Sequence, residues 1–168
     1  MRFPIRKTNR LTNYDYKEPR AYFVTICAHN HRKLFGEIVG GDMFRPPFMR
    51  LSSVGDIVYD EMETIESHYK NIKIDKYTIM PNHIHMIIRI TARMNPCPTA
   101  YDISNIVGKF KAAVTRRARK NGLFSIDEKI WQTSFYDHII RNQTDYDLIW
   151  TYIDNNPAKW KEDRFCLP

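Results

Sequence analysis

Cysteine is scarce in this chain, and the little there is forms no chemical pattern. Cys27, Cys97 and Cys166 make no CxxC pair and no even framework, which argues against a disulfide scaffold. A reducing cytoplasm is the simplest expected setting. No apolar run approaches the ~18 residues that a membrane span needs. Ala21-Tyr22-Phe23-Val24 and Met86-Ile87-Ile88 are typical of those present, so no membrane partner is expected. The opening MRFPIRKTNR has no apolar h-region, so no secretory signal is expected. There is also no Gly-rich phosphate loop, no GxSxG elbow and no paired-carboxylate motif. Cys27 falls in an apolar strand pattern and reads as core rather than as a nucleophile.

What is present is a domain-sized chain with material for a core. Its 168 residues are 43% hydrophobic and 13% aromatic, which excludes disorder along the whole length and fits one domain over residues 1–168. Lys plus Arg number 26 against 19 acidic residues, a formal charge of +7. Such a balance suits a polyanionic partner, although a basic surface kept for solubility fits the charge equally well. Arg2, Arg6, Lys7, Arg10, Lys17 and Arg20 make residues 1–20 a basic arm with little apolar periodicity.

The hydrophobic pattern then predicts eight elements. Ala21 to Cys27 is a strand, and Leu34 to Val39 is a second short one ended by Gly40-Gly41. Residues 42–51 carry Pro46-Pro47, read as irregular, and are longer than a tight hairpin requires. A helix capped by Ser52 or Ser53 carries Val54, Ile57, Val58, Met62 and Ile65 at helical spacing and ends near Tyr69. Ile72 to Met80 and His83 to Ile90 are strands interrupted by Pro81-Asn82 and read as antiparallel partners across that short link. Ile103 to Lys120 is a helix closed by Asn121-Gly122. A strand over Phe135 to Ile140 precedes a last helix, capped by Asn142 or Thr144 and stopped by Pro157. The order is β, β, α, β, β, α, β, α: an α+β chain with helices packed on an antiparallel sheet.

Three features point to chemistry. His83-Ile84-His85 lies in a strand, where period 2 sends both imidazoles to one face. Two imidazoles so placed are a ready pair of metal ligands, and they equally fit two satisfied polar residues on an open sheet face. A second HxH, His29-Asn30-His31, follows a strand end and reads as loop. No helix offers a His or carboxylate partner by spacing. On the last helix Tyr146, Ile149, Trp150 and Ile153 form the apolar stripe. Tyr152 lies about 110° from its centre, and Asn156 lies about 40° from Tyr152, one turn on. The two share a flank, which also suits an ordinary exposed tyrosine and a helix-end asparagine. The Ile103–Lys120 helix carries Lys109, Lys111, Arg116, Arg117, Arg119 and Lys120, with no acidic residue from Ile103 to Leu123. Six like charges without carboxylates suggest a phosphate-facing surface; a solvated, self-repelling face is the alternative.

Three blocks together carry a resemblance. Met80-Pro81-Asn82-His83-Ile84-His85-Met86-Ile87-Ile88 resembles the His-hydrophobic-His signature of the single-tyrosine transposases. Ile130-Trp131-Gln132 followed by Phe135-Tyr136-Asp137-His138-Ile139-Ile140-Arg141-Asn142 is similar to a second block of their REP-associated branch. Tyr152-Ile153-Asp154-Asn155-Asn156-Pro157 resembles that branch's Tyr-Ile-x-x-Asn-Pro. The resemblance covers nearly the whole chain.

It implies a ferredoxin-like antiparallel sheet with helices mainly on one face. It implies that His83 and His85 bind a divalent cation, Mg²⁺ or Mn²⁺, with Asn156 completing the shell. Tyr152 is implied as the nucleophile on single-stranded or hairpin DNA, with Tyr136 as its rival. The implied activity is metal-dependent cleavage and strand transfer through a 5′-phosphotyrosine. A domesticated protein that holds hairpins without cutting is the alternative. An RNA-binding domain of the RRM type is disfavoured, because HIHMIIRI carries no aromatic residue. Both a monomer and a homodimer fit the family.

Overall fold

The computed structural model describes residues 20–91 and 102–163. The expected basic arm lies outside these residues except for Arg20, as does the proline-bearing segment 92–101. Ten elements of sheet and α-helix follow in order: β1 (Ala21–Cys27), β2 (Gly36–Val39), β3 (Phe48–Leu51), α1 (Ser53–Glu63), α2 (Ile65–His68), β4 (Ile72–Ile79), β5 (His83–Ile90), α3 (Ile103–Lys120), β6 (Tyr136–Ile140) and α4 (Gln143–Asn155).

The main sheet has the order β4-β5-β1-β6, with every neighbouring pair antiparallel. Without β2, β3, α2 and α4, the sequence β1-α1-β4-β5-α3-β6 is the split β-α-β arrangement of a ferredoxin-like fold. The fold expected from the sequence is therefore the fold present. Its β5 reads as a near-continuous apolar run because both of its faces are covered. Tyr22, Val24, Ile26, Ile84, Met86, Ile88 and Ile90 join Ile57, Val58, Ile106, Val107, Phe110 and Val114 of α1 and α3 in the larger core. Phe23, Ile87, Ile140 and Ile153 form a smaller cluster on the opposite face, with Tyr146, Ile149 and Trp150 packed against it. Two long helices thus share one face, and α4 crosses the other.

Two boundaries differ from the sequence reading. Residues 42–51 are not irregular throughout: β3 pairs with β2 as a separate two-stranded ribbon, in which Glu37 faces Arg50. Pro47 immediately precedes β3, where a missing N–H disrupts no ladder. The single helix expected to reach Tyr69 is broken at Thr64, whose hydroxyl donates to the Glu61 carbonyl and competes with the helix ladder. Ser52 is the cap of α1, accepting from Gly55 N at 3.1 Å and donating to the Leu34 carbonyl at 2.6 Å.

Gly55 is fixed by close approach rather than by backbone angle. A Cβ added there would stand 2.0 Å from the Phe35 carbonyl oxygen. In an exposed helix a Gly→Ala change stabilises by roughly 1 kcal/mol. Here the sign reverses: Gly55→Ala should destabilise by about 1–3 kcal/mol, the usual overpacking cost, as read from the midpoint of urea unfolding.

Candidate active site

The site is built on the face of β5 that turns away from α1 and α3. His83 and His85 are both fully buried, and their rings lie 4.5 Å apart between centroids. The pair therefore shares a face, as strand alternation required. Phe23, on the neighbouring strand, stacks on His85 at 5.2 Å. The Nδ1 atoms point back into the protein: His83 Nδ1 is 2.8 Å from Asn82 Oδ1, and His85 Nδ1 is 2.8 Å from Thr25 Oγ1. Thr25 is the residue directly across β1 from His85. The Nε2 atoms face the other way, toward α4 and the segment after it.

α4 brings the tyrosine. Asn142 caps the helix by accepting from Asp145 N at 2.8 Å, and Ile153 is the one α4 residue that is fully buried. Polar contacts at the β4 edge fasten the rest. A bulge at Asp75 puts both Asp75 and Lys76 on the α4 side. Asp75 accepts from Tyr146 Oη at 3.1 Å and from Arg89 at 2.7 Å, while Lys76 pairs with Asp154 and lies over the Trp150 ring. Burial, and then Asp75, push the Tyr146 hydroxyl above its ordinary range. So anchored, α4 sets the Tyr152 hydroxyl 3.2 Å from His85 Nε2. Tyr152 is 42% exposed, so a substrate can reach it.

Tyr152 and Asn156 line one groove of about 540 Å³ together with Thr151, Asn155, Lys159 and Asp163. The shared flank inferred from helical spacing is real. Asn156 itself is buried, and its Oδ1 has no hydrogen-bond partner among the described residues. A buried carbonyl oxygen left without a donor is uncommon, and a cation is one thing that satisfies it. Tyr136, by contrast, pairs across from Thr25 on β6. It stands two strands from β5, about 10 Å by sheet spacing.

A carboxylate that helical spacing does not offer joins the histidines from beyond α4. Asp163 follows the single helical turn Trp160–Glu162 and brings Oδ2 to 3.9 Å from His83 Nε2. One ligating atom from each of His83, His85 and Asp163 lies within 4.8 Å of the others. That set is compatible with a divalent cation. No spacing rule links Asp163 to α4, because Pro157 ends the helical period before it.

The six basic residues of α3 divide. Lys111 donates to the carbonyls of Gln132 (2.9 Å) and Ser134 (3.0 Å). Arg117 pairs with Asp60 and Glu61 of α1, and Arg119 donates to the Glu128 carbonyl. Lys109 lies over the Tyr69 ring at 5.6 Å. Arg116 and Lys120 have no ion pair among the described residues. The stripe expected to face phosphates is thus partly turned to holding the fold, and α3 packs on the sheet face opposite the histidines.

The family model described as "Transposase IS200 like" matches residues 52–156, which hold both histidines, Tyr152 and Asn156. The chain belongs to the IS200-like transposase family. A relative from Haemophilus influenzae, described only as an uncharacterized protein, is 37% identical over 96% of this chain and 93% of its own. Among solved structures, a REP-associated tyrosine transposase bound to a REP hairpin aligns with a TM-score of 0.61 at 20% identity, covering 90% of this chain and 74% of that one. A chain from Deinococcus radiodurans described as a candidate transposase aligns with a TM-score of 0.51 at 16% identity, covering 87% and 95%. These two likenesses concern the fold. Within it, this IS200-like family member keeps its two histidines, its helix tyrosine and its asparagine at one place. Among its described residues no helix is long and apolar enough to cross a membrane.

Lys111 is half-buried, with its ammonium on the carbonyls of Gln132 and Ser134. Burial brings its pKa down from 10.5 to about 8, with a smaller opposing pull from Cys27. From about pH 8 to 10.5 the unfolded chain therefore holds a proton at this lysine that the folded chain has released. Stability contributed by this group rises with pH across that window. Comparing urea unfolding at pH 7.5 and 9.5, Lys111→Met should remove that part of the pH slope; an unchanged slope would place the ammonium in water.

Proposed function

We propose that this protein is a metal-dependent single-strand DNA endonuclease and strand transferase that acts on hairpin-bearing DNA with Tyr152 as nucleophile. The observation that carries the reading is the Tyr152 hydroxyl, 3.2 Å from His85 Nε2 and open to solvent through the groove. A protein that only held hairpins would have no need of a phenol at a histidine pair. The hairpin partner is carried over from the REP-associated transposase whose fold this chain shares.

His83, His85 and Asn156 would hold the cation, with Asp163 as a fourth donor. Two imidazoles and an amide are softer than Mg²⁺ prefers, so Mn²⁺ should serve at least as well. A divalent cation bound there supplies positive charge that polarises the scissile phosphate and offsets charge building on its oxygens. Tyr152 Oη attacks the phosphorus: the O–P bond to tyrosine forms, the bond to the 3′ oxygen breaks, and that oxygen leaves as a hydroxyl while the phenol gives up its proton. The DNA 5′ end is then a phosphotyrosine. Because a phosphodiester has been exchanged for a phosphodiester, a 3′-hydroxyl can reverse the step and join strands without a nucleotide cofactor. Tyr152 waits at the histidine pair before DNA arrives, which reduces the entropy lost in reaching attack geometry. Arg116 and Lys120, with Lys109, are the α3 residues best placed to meet DNA phosphates, and the protein would do so in the cytoplasm.

Tyr152→Phe removes one oxygen and keeps the ring. With labelled hairpin DNA and Mn²⁺ it should form no chelator-sensitive covalent band on a denaturing gel while binding the hairpin nearly as before. A band that persists and maps to Tyr136 by peptide mass spectrometry would move the nucleophile. A tight native complex with no covalent band from the unaltered protein, across a panel of hairpins, would favour the non-cutting reading. Charge reversal at Arg116 and Lys120 together should lower the slope of log K against log salt by roughly 2, read by fluorescence anisotropy. A slope that does not move would return α3 to a purely solvated face.

A further inference from the structure

We propose that Gln132, His31 and Asn82 form a hydrogen-bonded support that holds the proton of His83 on Nδ1 and so leaves its Nε2 as a lone pair facing the tyrosine side. Asn82 Oδ1 is 2.8 Å from His83 Nδ1. An amide oxygen only accepts, so the ring nitrogen beside it must carry the hydrogen. The amide cannot turn over without cost: its Nδ2 donates to the His31 carbonyl at 3.1 Å, and a flip would set oxygen against oxygen. Asn82 is fully buried, and its own carbonyl is held by Ala28 N at 2.8 Å.

The His31 carbonyl is aimed by an unusual piece of backbone. Asn30 and His31 have φ of 54° and 52°, the left-handed region that few residues other than glycine adopt. Strain of this kind persists where surrounding contacts over-determine it. Here His31 Nε2 accepts from Gln132 Nε2 at 2.9 Å. His29 N donates to the Ile130 carbonyl at 2.8 Å, and Gln132 N donates to the Cys27 carbonyl at 3.0 Å. The second HxH is thus no ligand pair; its last carbonyl orients the residue that orients His83. The Ile130-Trp131-Gln132 block, which touches neither the tyrosine nor the histidine pair in the contacts described, gains a role through the same chain.

The two histidines differ in this respect. Thr25 can donate to His85 Nδ1 or accept from it, so its hydroxyl leaves that tautomer open. Asn82 leaves no choice. An imidazole in water prefers its proton on Nε2, the atom that must be bare to bind a cation, and Asn82 removes that preference before any metal arrives. Asn82 is on this account a positioning residue. The metal consequence rests on the function proposed above; the tautomer does not.

Long-range ¹H–¹⁵N spectra of the metal-free protein should show His83 protonated at Nδ1 alone, and a ring protonated at Nε2 would overturn the proposal even if no variant folded. In Asn82→Leu, which keeps bulk and removes the acceptor, the Nε2–H form should appear. Mn²⁺ affinity by calorimetry should then fall about 10- to 100-fold, the usual effect of losing such a partner. Gln132→Leu should weaken binding in the same direction by a smaller factor. Unchanged affinity in a folded Asn82→Leu would overturn the proposal. If the unaltered protein bound no Mn²⁺, the metal reading would fail by itself, and the spectra would still decide the tautomer.

Discussion

Strand β5 must satisfy two environments at once, and the rest of the molecule is arranged around that demand. Its even-numbered side chains, Ile84, Met86, Ile88 and Ile90, complete the core under α1 and α3. Its odd-numbered side chains, His83 and His85, line the site, and Ile87 joins the smaller cluster. Since side chains alternate strictly, a shift of one residue would exchange the two sets, burying imidazoles in an aliphatic core and facing isoleucine toward Tyr152. The register against β1 and β4 is consequently fixed by hydrophobic burial, and the chemistry inherits its precision from that burial.

The tyrosine is held differently. α4 has a single fully buried residue, Ile153, and relies for the rest on half-buried rings and on the polar contacts of Asp75 and Lys76. Ion pairs at a surface contribute modestly, on the order of 0–1 kcal/mol each, so this helix is fastened less firmly than the strand it faces. The arrangement joins a rigid element carrying the histidines to a more lightly attached one carrying Tyr152, the proposed nucleophile. The bulge in β4 is what permits it, because only there do two successive residues turn toward α4.

The fold was largely legible because its elements bury one clear periodicity each. β1, β5, α3 and α4 were bounded to within about a residue, helped by Asn142, Pro157 and the Asn121-Gly122 stop. β3 was hidden by Pro46-Pro47, since proline signals a break without telling how soon a strand resumes. In the site, His83 with His85 and Tyr152 with Asn156 were legible as pairs, because each pair lies on one periodic element. Their meeting was not: it depends on α4 crossing the face opposite α3, which no local pattern encodes. Asp163 and Asn82 lay beyond reach for the same reason, the first after a helix stop and the second in a turn. Lys111 shows the converse failure, where a basic residue at a plausible surface spacing serves the backbone carbonyls of Gln132 and Ser134.

The β2–β3 ribbon leaves the main sheet and returns to it at one point. Phe35 N bonds to the Pro81 carbonyl, and Ser52 N bonds to the Phe35 carbonyl at 3.0 Å, so the two ends of the excursion are already closed on each other. Lengthening a loop whose ends are fixed is inexpensive, roughly 0.6 kcal/mol for each doubling. Around the exposed tip of the ribbon, residues 40–47, the chain can therefore gain or lose residues while the sheet, the histidines and the tyrosine helix stay where they are. New contacts could be acquired at that tip without disturbing the end of the molecule that holds His83, His85 and Tyr152.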